Sequence, residues 1–260
     1  MLSAAILRPS YLDVGGSLMP ASLTVRAALV ACSLGFTASA LAALAPDFVE
    51  KLTSEQRPLE DRVRDGARRP YQVMQLLGVD AGQTLLDVGA GGGWFTRVLS
   101  AATGPKGKVI AQFGPRALQR ENGQAQKDLA ASLGNTEAFF GNVSELPPNS
   151  VDAAITALNM HHMNADRAGP YLKEILAVLK PGGRAAIIDH VGLPGTANNG
   201  MLHRMLPSDA KTWIQQAGFE IVSEPDILRT TADDHTMSVD DPRLGRDIDQ
   251  FFFIVRKPQR

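Results

Sequence analysis

The sequence predicts an α/β fold built on a doubly wound, mostly parallel sheet. Three observations support this prediction. Apolar segments of strand length alternate with segments of helix length, a glycine-rich turn follows the first of these strands, and 260 residues suit one such domain. The predicted organisation is an N-terminal export signal over residues 1–45, a helical lead-in over 46–79 and the main domain over 80–260.

Seven segments of the main domain have the short apolar runs of buried strands. They are 84–88, 108–112, 137–140, 151–157, 184–189, 219–223 and 250–256. Helices are predicted for the segments 71–77, 94–100, 115–133, 168–179 and 208–217. Parallel neighbours need crossover connections of helix length, which this alternation supplies.

The first 45 residues have the composition of a secretory signal. From Met19, an alternative start, one positive charge at Arg26 precedes an apolar run over 27–36 and a stretch of small residues over 37–45. Cleavage is predicted after Ala42 or Ala45, and an uncleaved membrane anchor through 27–45 is the alternative. The charged segment that follows predicts a solvated lead-in helix.

Charge and cysteine content exclude several classes of function. The net charge is −1 and the pI is about 6.5, so the chain lacks the basic surface that nucleic-acid binding needs. The only cysteine, Cys32, lies in the N-terminal segment. The main domain therefore has no disulfide, no cysteine nucleophile and no thiolate metal site.

The turn after the first strand reads Asp87-x-Gly89-x-Gly91-x-Gly93. Glycines there allow a sharp turn and a close approach of the backbone to a ligand. The dinucleotide fingerprint would place its third glycine at Trp94, which argues against a nicotinamide-dependent reductase. No Gly-Lys-Ser/Thr follows, which excludes a nucleotidase phosphate loop. A ligand without a pyrophosphate, such as an adenosyl sulfonium, fits this loop better.

Together with the segment Leu179-Lys180-Pro181-Gly182-Gly183 before the fifth strand, this loop resembles the class I S-adenosylmethionine-dependent methyltransferases over about 80–257. The resemblance implies S-adenosyl-L-methionine as cofactor and a Rossmann-like, seven-stranded sheet with an antiparallel last strand. More narrowly, the chain resembles a bacterial group of predicted, often exported methyltransferases without a settled substrate. For an exported member, the expected location is the periplasm.

The resemblance also implies the cofactor-binding residues. In the family an acid after the second strand binds the ribose and another after the third strand binds the adenine, and here these positions hold Gln112 and Asn142. Both side chains keep hydrogen-bonding capacity without the charge. The predicted cofactor-binding residues are Asp87, Gly89, Ala90, Gly91, Gly93, Gln112, Asn142, Val143 and Asn159.

A polar cluster is predicted where the later strands end. Ligands of an open α/β sheet bind beyond the carboxyl ends of its strands, which places His161, Asp189, His190 and His203 on one rim. Histidine can take a proton from an attacking nucleophile and a carboxylate can orient it, so these four are the predicted catalytic residues. They could also bind a metal, but without a tight ligand spacing no metal is predicted.

The predicted function is methyl transfer to a small-molecule acceptor. Neither nucleic acid nor a membrane, apart from the N-terminal segment, is an expected partner. The alternative is a catalytically idle accessory protein, because export would carry the chain away from its cofactor and two cofactor-contact acids are missing. The acidic stretches 233–235 and 240–241 are predicted to be solvated loop.

Overall fold

The computed structural model describes residues 43–259, and within them the predicted α/β sheet is confirmed. Its strands are β1 (Thr84–Val88), β2 (Lys108–Gln112), β3 (Thr136–Phe139), β4 (Val151–Ala157), β5 (Leu179–His190), β6 (Glu220–Ser223) and β7 (Gln250–Arg256). The strand order is β3-β2-β1-β4-β5-β7-β6. Strands β1 to β5 pair in parallel, and β7 runs antiparallel to both β5 and β6, as predicted for the last strand.

Helices cover both faces of the sheet, as a doubly wound fold requires. In the described residues they are α1 (Phe48–Thr53), α2 (Leu59–Arg62), α3 (Asp65–Arg68), α4 (Pro70–Leu77), α5 (Trp94–Thr103), α6 (Gln124–Leu133), α7 (Ala165–Val178) and α8 (Pro207–Ala217). Leu172 of α7 and Ile214 of α8 belong to the core of one face. Met74 of α4 and Leu99 of α5 belong to the core of the other.

Two predicted boundaries are wrong. The helix expected over 115–133 is two 3-10 turns followed by α6, because Glu121, Asn122 and Gly123 adopt positive φ angles that an α-helix cannot contain. The fifth strand, expected over 184–189, already begins at Leu179 and ends at His190. That strand bulges between its pairings with Val151 and Ala153, so the extra residues stay within the sheet.

The lead-in is also not the solvated helix that its charges suggest. It forms three short helices before α4, and Phe48 of the first is buried. Asp61 is buried as well: its carbonyl accepts a hydrogen bond from the Trp94 indole at 3.0 Å and its carboxylate pairs with Arg97 at 3.1 Å. The charges of the lead-in therefore anchor it to α5, directly after the glycine loop.

The insertion between β6 and β7 folds around a buried ion pair. Predicted as solvated, Asp233 is buried and accepts two hydrogen bonds from Arg204, at 2.8 and 3.0 Å. Nε2 of His235 donates a hydrogen bond to the buried Asp249 at 2.9 Å. The prediction is wrong for Asp233 and His235, whose side chains have partners inside the fold, whereas Asp234 is exposed as predicted.

Most of the predicted export signal lies outside the described residues. Its last three residues, 43–45, hydrogen-bond the main domain: the Ala43 amide donates to Asp80 and the Ala45 amide donates to Ala102. Cleavage after Ala42 would keep these bonds, whereas cleavage after Ala45 would remove them. Among residues 43–259, no helix combines the length and apolarity that a membrane crossing requires.

Candidate active site

The glycine loop joins the end of β1 to the start of α5. Gly89, Gly91 and Gly93 have φ angles of 66°, 56° and 79°, a region that strains other residues. A Cβ on Gly89 would lie 2.8 Å from the Asn159 side chain, and one on Gly93 would overlap the Leu129 side chain. These positions therefore favour glycine, and the backbone stays open to a ligand.

Asp87 lies directly beneath this loop at the end of β1. Its carboxylate is buried and accepts a hydrogen bond from the Thr96 hydroxyl at 2.6 Å. Burial raises the pKa of Asp87 to about 6, against the opposing effects of the Thr96 hydrogen bonds and the Arg68 charge. An acid that is costly to ionise and sits under a binding loop is typical of a functional position.

We expect the substitution Asp87→Asn to stabilise the fold at neutral pH. Because the pKa rises from 3.8 to about 6, the ionised carboxylate costs up to about 3 kcal/mol of folding free energy. The unfolded chain releases this proton at lower pH, so the advantage of the variant should grow between about pH 4 and 6 and stay constant above. Urea unfolding of both proteins across this range measures it.

The exposed Asp247 offers the matched control, since its side chain makes no hydrogen bond within residues 43–259. Asp247→Asn should leave the unfolding free energy within about 0.5 kcal/mol at every pH. Equal stability of the Asp87→Asn variant and the parent at pH 7 would contradict a raised pKa.

Gln112 connects the glycine loop to the neighbouring strand. Its Oε1 accepts a hydrogen bond from the Gly89 amide at 2.9 Å, and its Nε2 donates to the Gly141 carbonyl at 2.8 Å. A carboxylate could not donate the second bond, which explains why an amide can stand here in place of an acid. Asn142 donates to Glu145 at 3.0 Å at the end of β3.

A cavity of about 470 Å³ opens beside the loop. Gly89 and Gly91 form one wall, and Phe113, Arg116 and Arg120 of the segment after β2 form others. Of the remaining predicted cofactor-binding residues, Val143 is buried next to Asn142, and Asn159 donates to the Val88 carbonyl at 3.0 Å. The predicted set therefore surrounds one end of the sheet, as the cofactor of this fold requires.

The carboxyl ends of β4 and β5 bring the predicted catalytic residues together. Asp189 is fully buried, and its carboxylate accepts hydrogen bonds from the backbone amides of Met160, His161 and His190 at 2.8 to 3.0 Å. Its Oδ1 also lies 2.6 Å from Nδ1 of His161. A carboxylate held by so many donors fixes the ring orientation of its histidine.

His190 differs from the other predicted histidines in the cavity that it lines. It lines a second cavity of about 350 Å³ together with Leu158 and Gln250. Its Nδ1 lies 3.1 Å from the His203 carbonyl and must donate to it, which leaves the lone pair on Nε2. Burial lowers the pKa of His190 to about 4, so the ring is neutral at physiological pH. Leu158 has a φ of 61°, a strained conformation at the edge of this cavity.

The rings of His161, His162 and His203 form a separate cluster. Their centroids lie 4.0 Å apart for 161 and 162, 5.4 Å for 161 and 203, and 5.2 Å for 162 and 203. One nitrogen from each ring lies within 4.8 Å of the others, a spacing that could hold a metal ion. Burial, with the charges of the other two histidines, lowers the pKa of His162.

Comparison with known proteins identifies the family. The model of a methyltransferase domain matches residues 85–183, from β1 through the bulge of β5. The chain is 31% identical over 157 residues to the 2-phytyl-1,4-naphtoquinone methyltransferase of Synechococcus elongatus, covering 57% of this chain and 66% of that enzyme. Residues 85–183 therefore form a methyltransferase domain, on the fold of the class I S-adenosylmethionine-dependent methyltransferases.

Other relatives agree with this assignment. A ubiquinone/menaquinone biosynthesis C-methyltransferase of Pseudomonas savastanoi is 29% identical over 135 residues, 50% of this chain and 52% of that enzyme. The chain thus spans between half and two thirds of the curated relatives it matches. The crystal structure of a methyltransferase from Aquifex aeolicus has the same fold, with a TM-score of 0.56 and 22% identity over 82% of this chain and 98% of that one.

Three arginines beside His190 were not predicted as site residues from the sequence. Arg64, Arg68 and Arg246 line the same cavity as His190, and none of the three forms an ion pair within residues 43–259. Burial and the charges of Arg64 and Arg246 lower the pKa of Arg68 to about 10. For Arg64 and Arg68 the available signal is the excess of arginine over acid within residues 57–70, five against three, in a stretch that by itself predicts a solvated helix.

Proposed function

We propose that this methyltransferase transfers the methyl group of S-adenosylmethionine to a small aromatic acceptor that carries an ionisable hydroxyl, as a hydroquinone does. The curated relatives named above are methyltransferases of quinone compounds. The observation that carries the proposal is the cavity beside His190, because three arginines line it together with a neutral imidazole whose Nε2 can accept a hydrogen bond.

Quinone chemistry fits such a cavity. Ionising a ring hydroxyl, whose proton passes to water, makes the oxygen and the neighbouring ring carbon nucleophilic. When the carbon is methylated, the hydrogen on that carbon leaves as a proton after the transfer. The nucleophile forms a bond to the methyl carbon, the bond from methyl to sulfur breaks, and S-adenosylhomocysteine leaves. Methyl transfer itself needs mainly in-line positioning of the reacting atoms.

The residues of the cavity have different roles in this reaction. Nε2 of His190 accepts a hydrogen bond from the hydroxyl and orients it. Arg64, Arg68 and Arg246 stabilise the anion and so lower the pKa of the bound hydroxyl. Asp189 acts as a positioning residue, because it accepts a hydrogen bond from the His190 backbone amide.

The proposal is tested first by calorimetry of the purified full chain with S-adenosylhomocysteine, followed by turnover with 1,4-dihydroxynaphthalene as the probe acceptor. Arg246→Met should lower kcat/KM for this probe by about tenfold or more, because a hydrogen bond to a charged group is lost. Its affinity for S-adenosylhomocysteine should not change.

Arg243→Met is the matched control, since this exposed arginine pairs with Asp241 and does not line the cavity. No heat with millimolar S-adenosylhomocysteine would refute the methyltransferase activity. Binding without turnover on any hydroxylated aromatic would instead favour the idle accessory protein. Weakened S-adenosylhomocysteine binding in Arg246→Met would show that the arginines hold the cofactor rather than the acceptor.

A further inference from the structure

We propose that His161, His162 and His203 form a binding site for a transition-metal ion. One ring nitrogen of each already lies within 4.8 Å of the other two. Three nitrogens bound to one tetrahedral zinc lie about 3.3 Å apart, because each bond is about 2.0 Å long. Small ring rotations close this gap, since His162 is exposed and the His203 side chain is 38% exposed.

The ring of His161 is oriented as in known metal sites. Its Nδ1 is bonded to the buried carboxylate of Asp189, so Nε2 is the nitrogen left for a metal. Histidine ligands commonly donate their other ring N–H to a carboxylate, which fixes the tautomer and makes the ligand more basic. Three backbone amides in turn hold Asp189. His161, whose ring is held in place by Asp189, is therefore the best-oriented of the three metal ligands.

The backbone of His203, the third ligand, has an unusual conformation. Its φ is 56°, a left-handed conformation that costs free energy for any residue other than glycine. The His190 ring bonds its carbonyl, and its own amide donates to the Gly200 carbonyl. The fold thus retains a strained backbone that aims this imidazole at the other two.

The cluster opens toward the cavity of the proposed acceptor. Nε2 of His203 lies 3.5 Å from Oδ2 of Asp240, which lines that cavity. Three protein ligands leave a fourth position for Asp240, water or an acceptor oxygen. Imidazole ligands favour zinc, cobalt, nickel or copper over magnesium and calcium, which prefer oxygen. A role of the metal in holding an acceptor oxygen rests on the proposed function, but metal binding itself does not.

The test is a cobalt titration of the full chain after treatment with a chelator. Co²⁺ bound by histidines absorbs visible light, and we expect one equivalent to saturate the signal. His162→Ala and His203→Asn should each weaken binding by about tenfold or more. Asparagine is chosen at 203 because it tolerates the left-handed backbone and its amide is a poor ligand for this class of metal.

His235→Ala is the control, because His235 lies outside the cluster and bonds Asp249 instead. It should bind cobalt as the parent does. Circular dichroism and S-adenosylhomocysteine affinity, measured on each variant, separate loss of the metal site from loss of the fold or of the cofactor site. No stoichiometric cobalt signal, or equal affinity in parent and His203→Asn, would overturn the metal site and leave the proposed function intact.

Discussion

Replacing Arg204 by methionine is expected to cost roughly 3–5 kcal/mol of unfolding free energy, because it leaves an uncompensated charge in the interior. Arg204 is fully buried. Its guanidinium donates two hydrogen bonds to Asp233, one to the Val191 carbonyl and one to the Met237 carbonyl. In the variant the Asp233 carboxylate would stay buried without its cation.

The pKa of Asp233 supports this expectation. Burial by itself would raise it, but the hydrogen bonds from Arg204 and from the backbone amides of Asp249 and His235 outweigh burial and lower it. Removing the guanidinium removes the first of these compensating interactions. Neutralising both partners should be far milder, so Arg204→Met/Asp233→Leu is expected to recover most of the loss.

Urea unfolding monitored by circular dichroism measures both variants. Arg243→Met is the control, since its pair with Asp241 is exposed and such pairs contribute about 1 kcal/mol or less. A loss below about 1 kcal/mol in Arg204→Met would mean that water enters the site and solvates Asp233.

This ion pair also connects stability to the site. Arg204 follows His203 in the chain, and the carbonyl it bonds at Val191 follows His190. The same guanidinium therefore holds the insertion between β6 and β7 against the segments that carry two of the rim histidines. Loosening it should disturb the histidine cluster before it disturbs the glycine loop, which lies across the sheet at the end of β1.

The sheet could be predicted from the sequence because its strands are buried on both faces. The predicted bounds of β1, β2, β4 and β7 agree with the structure, and each of these strands is mostly apolar and mostly buried. The bulge of β5 could not be predicted, since Pro181 and two glycines locally favour a turn. Pairing with a distant strand overrides that local preference.

Buried charge explains the other differences. A charged residue paired inside the fold has the same local sequence as a solvated one, and the partner of Arg204 lies 29 residues away. The burial of Asp61 could not be predicted for the same reason, since its partner Arg97 lies 36 positions later. The histidine cluster could be predicted because topology alone brings the ends of β4 and β5 together. That His190 lines a cavity while the other three rings cluster together depends on side-chain orientation, which the local sequence does not determine.

Replacing Gly89 by alanine is expected to abolish measurable cofactor binding while the fold persists. The alanine would have to hold a φ of 66°, which costs about 1 kcal/mol. Its Cβ would also displace Asn159, whose amide bonds the Val88 carbonyl beneath the loop. Together with the methyl group in the path of the ligand, these effects should lower S-adenosylhomocysteine affinity by about a hundredfold or more, or about 3 kcal/mol.

Gly92 provides the matched control within the same loop. A Cβ there meets no atom within 4 Å, and its φ is not in the left-handed region. Gly92→Ala should therefore bind S-adenosylhomocysteine within about threefold of the parent, a difference of under 1 kcal/mol. If Gly89→Ala bound as tightly as Gly92→Ala in calorimetry, the cofactor could not approach this backbone. The cavity lined by Gly89, Phe113 and Arg116 would then have to bind something else. If only Gly89→Ala bound weakly, the ligand would lie against Gly89, whose amide donates a hydrogen bond to Gln112.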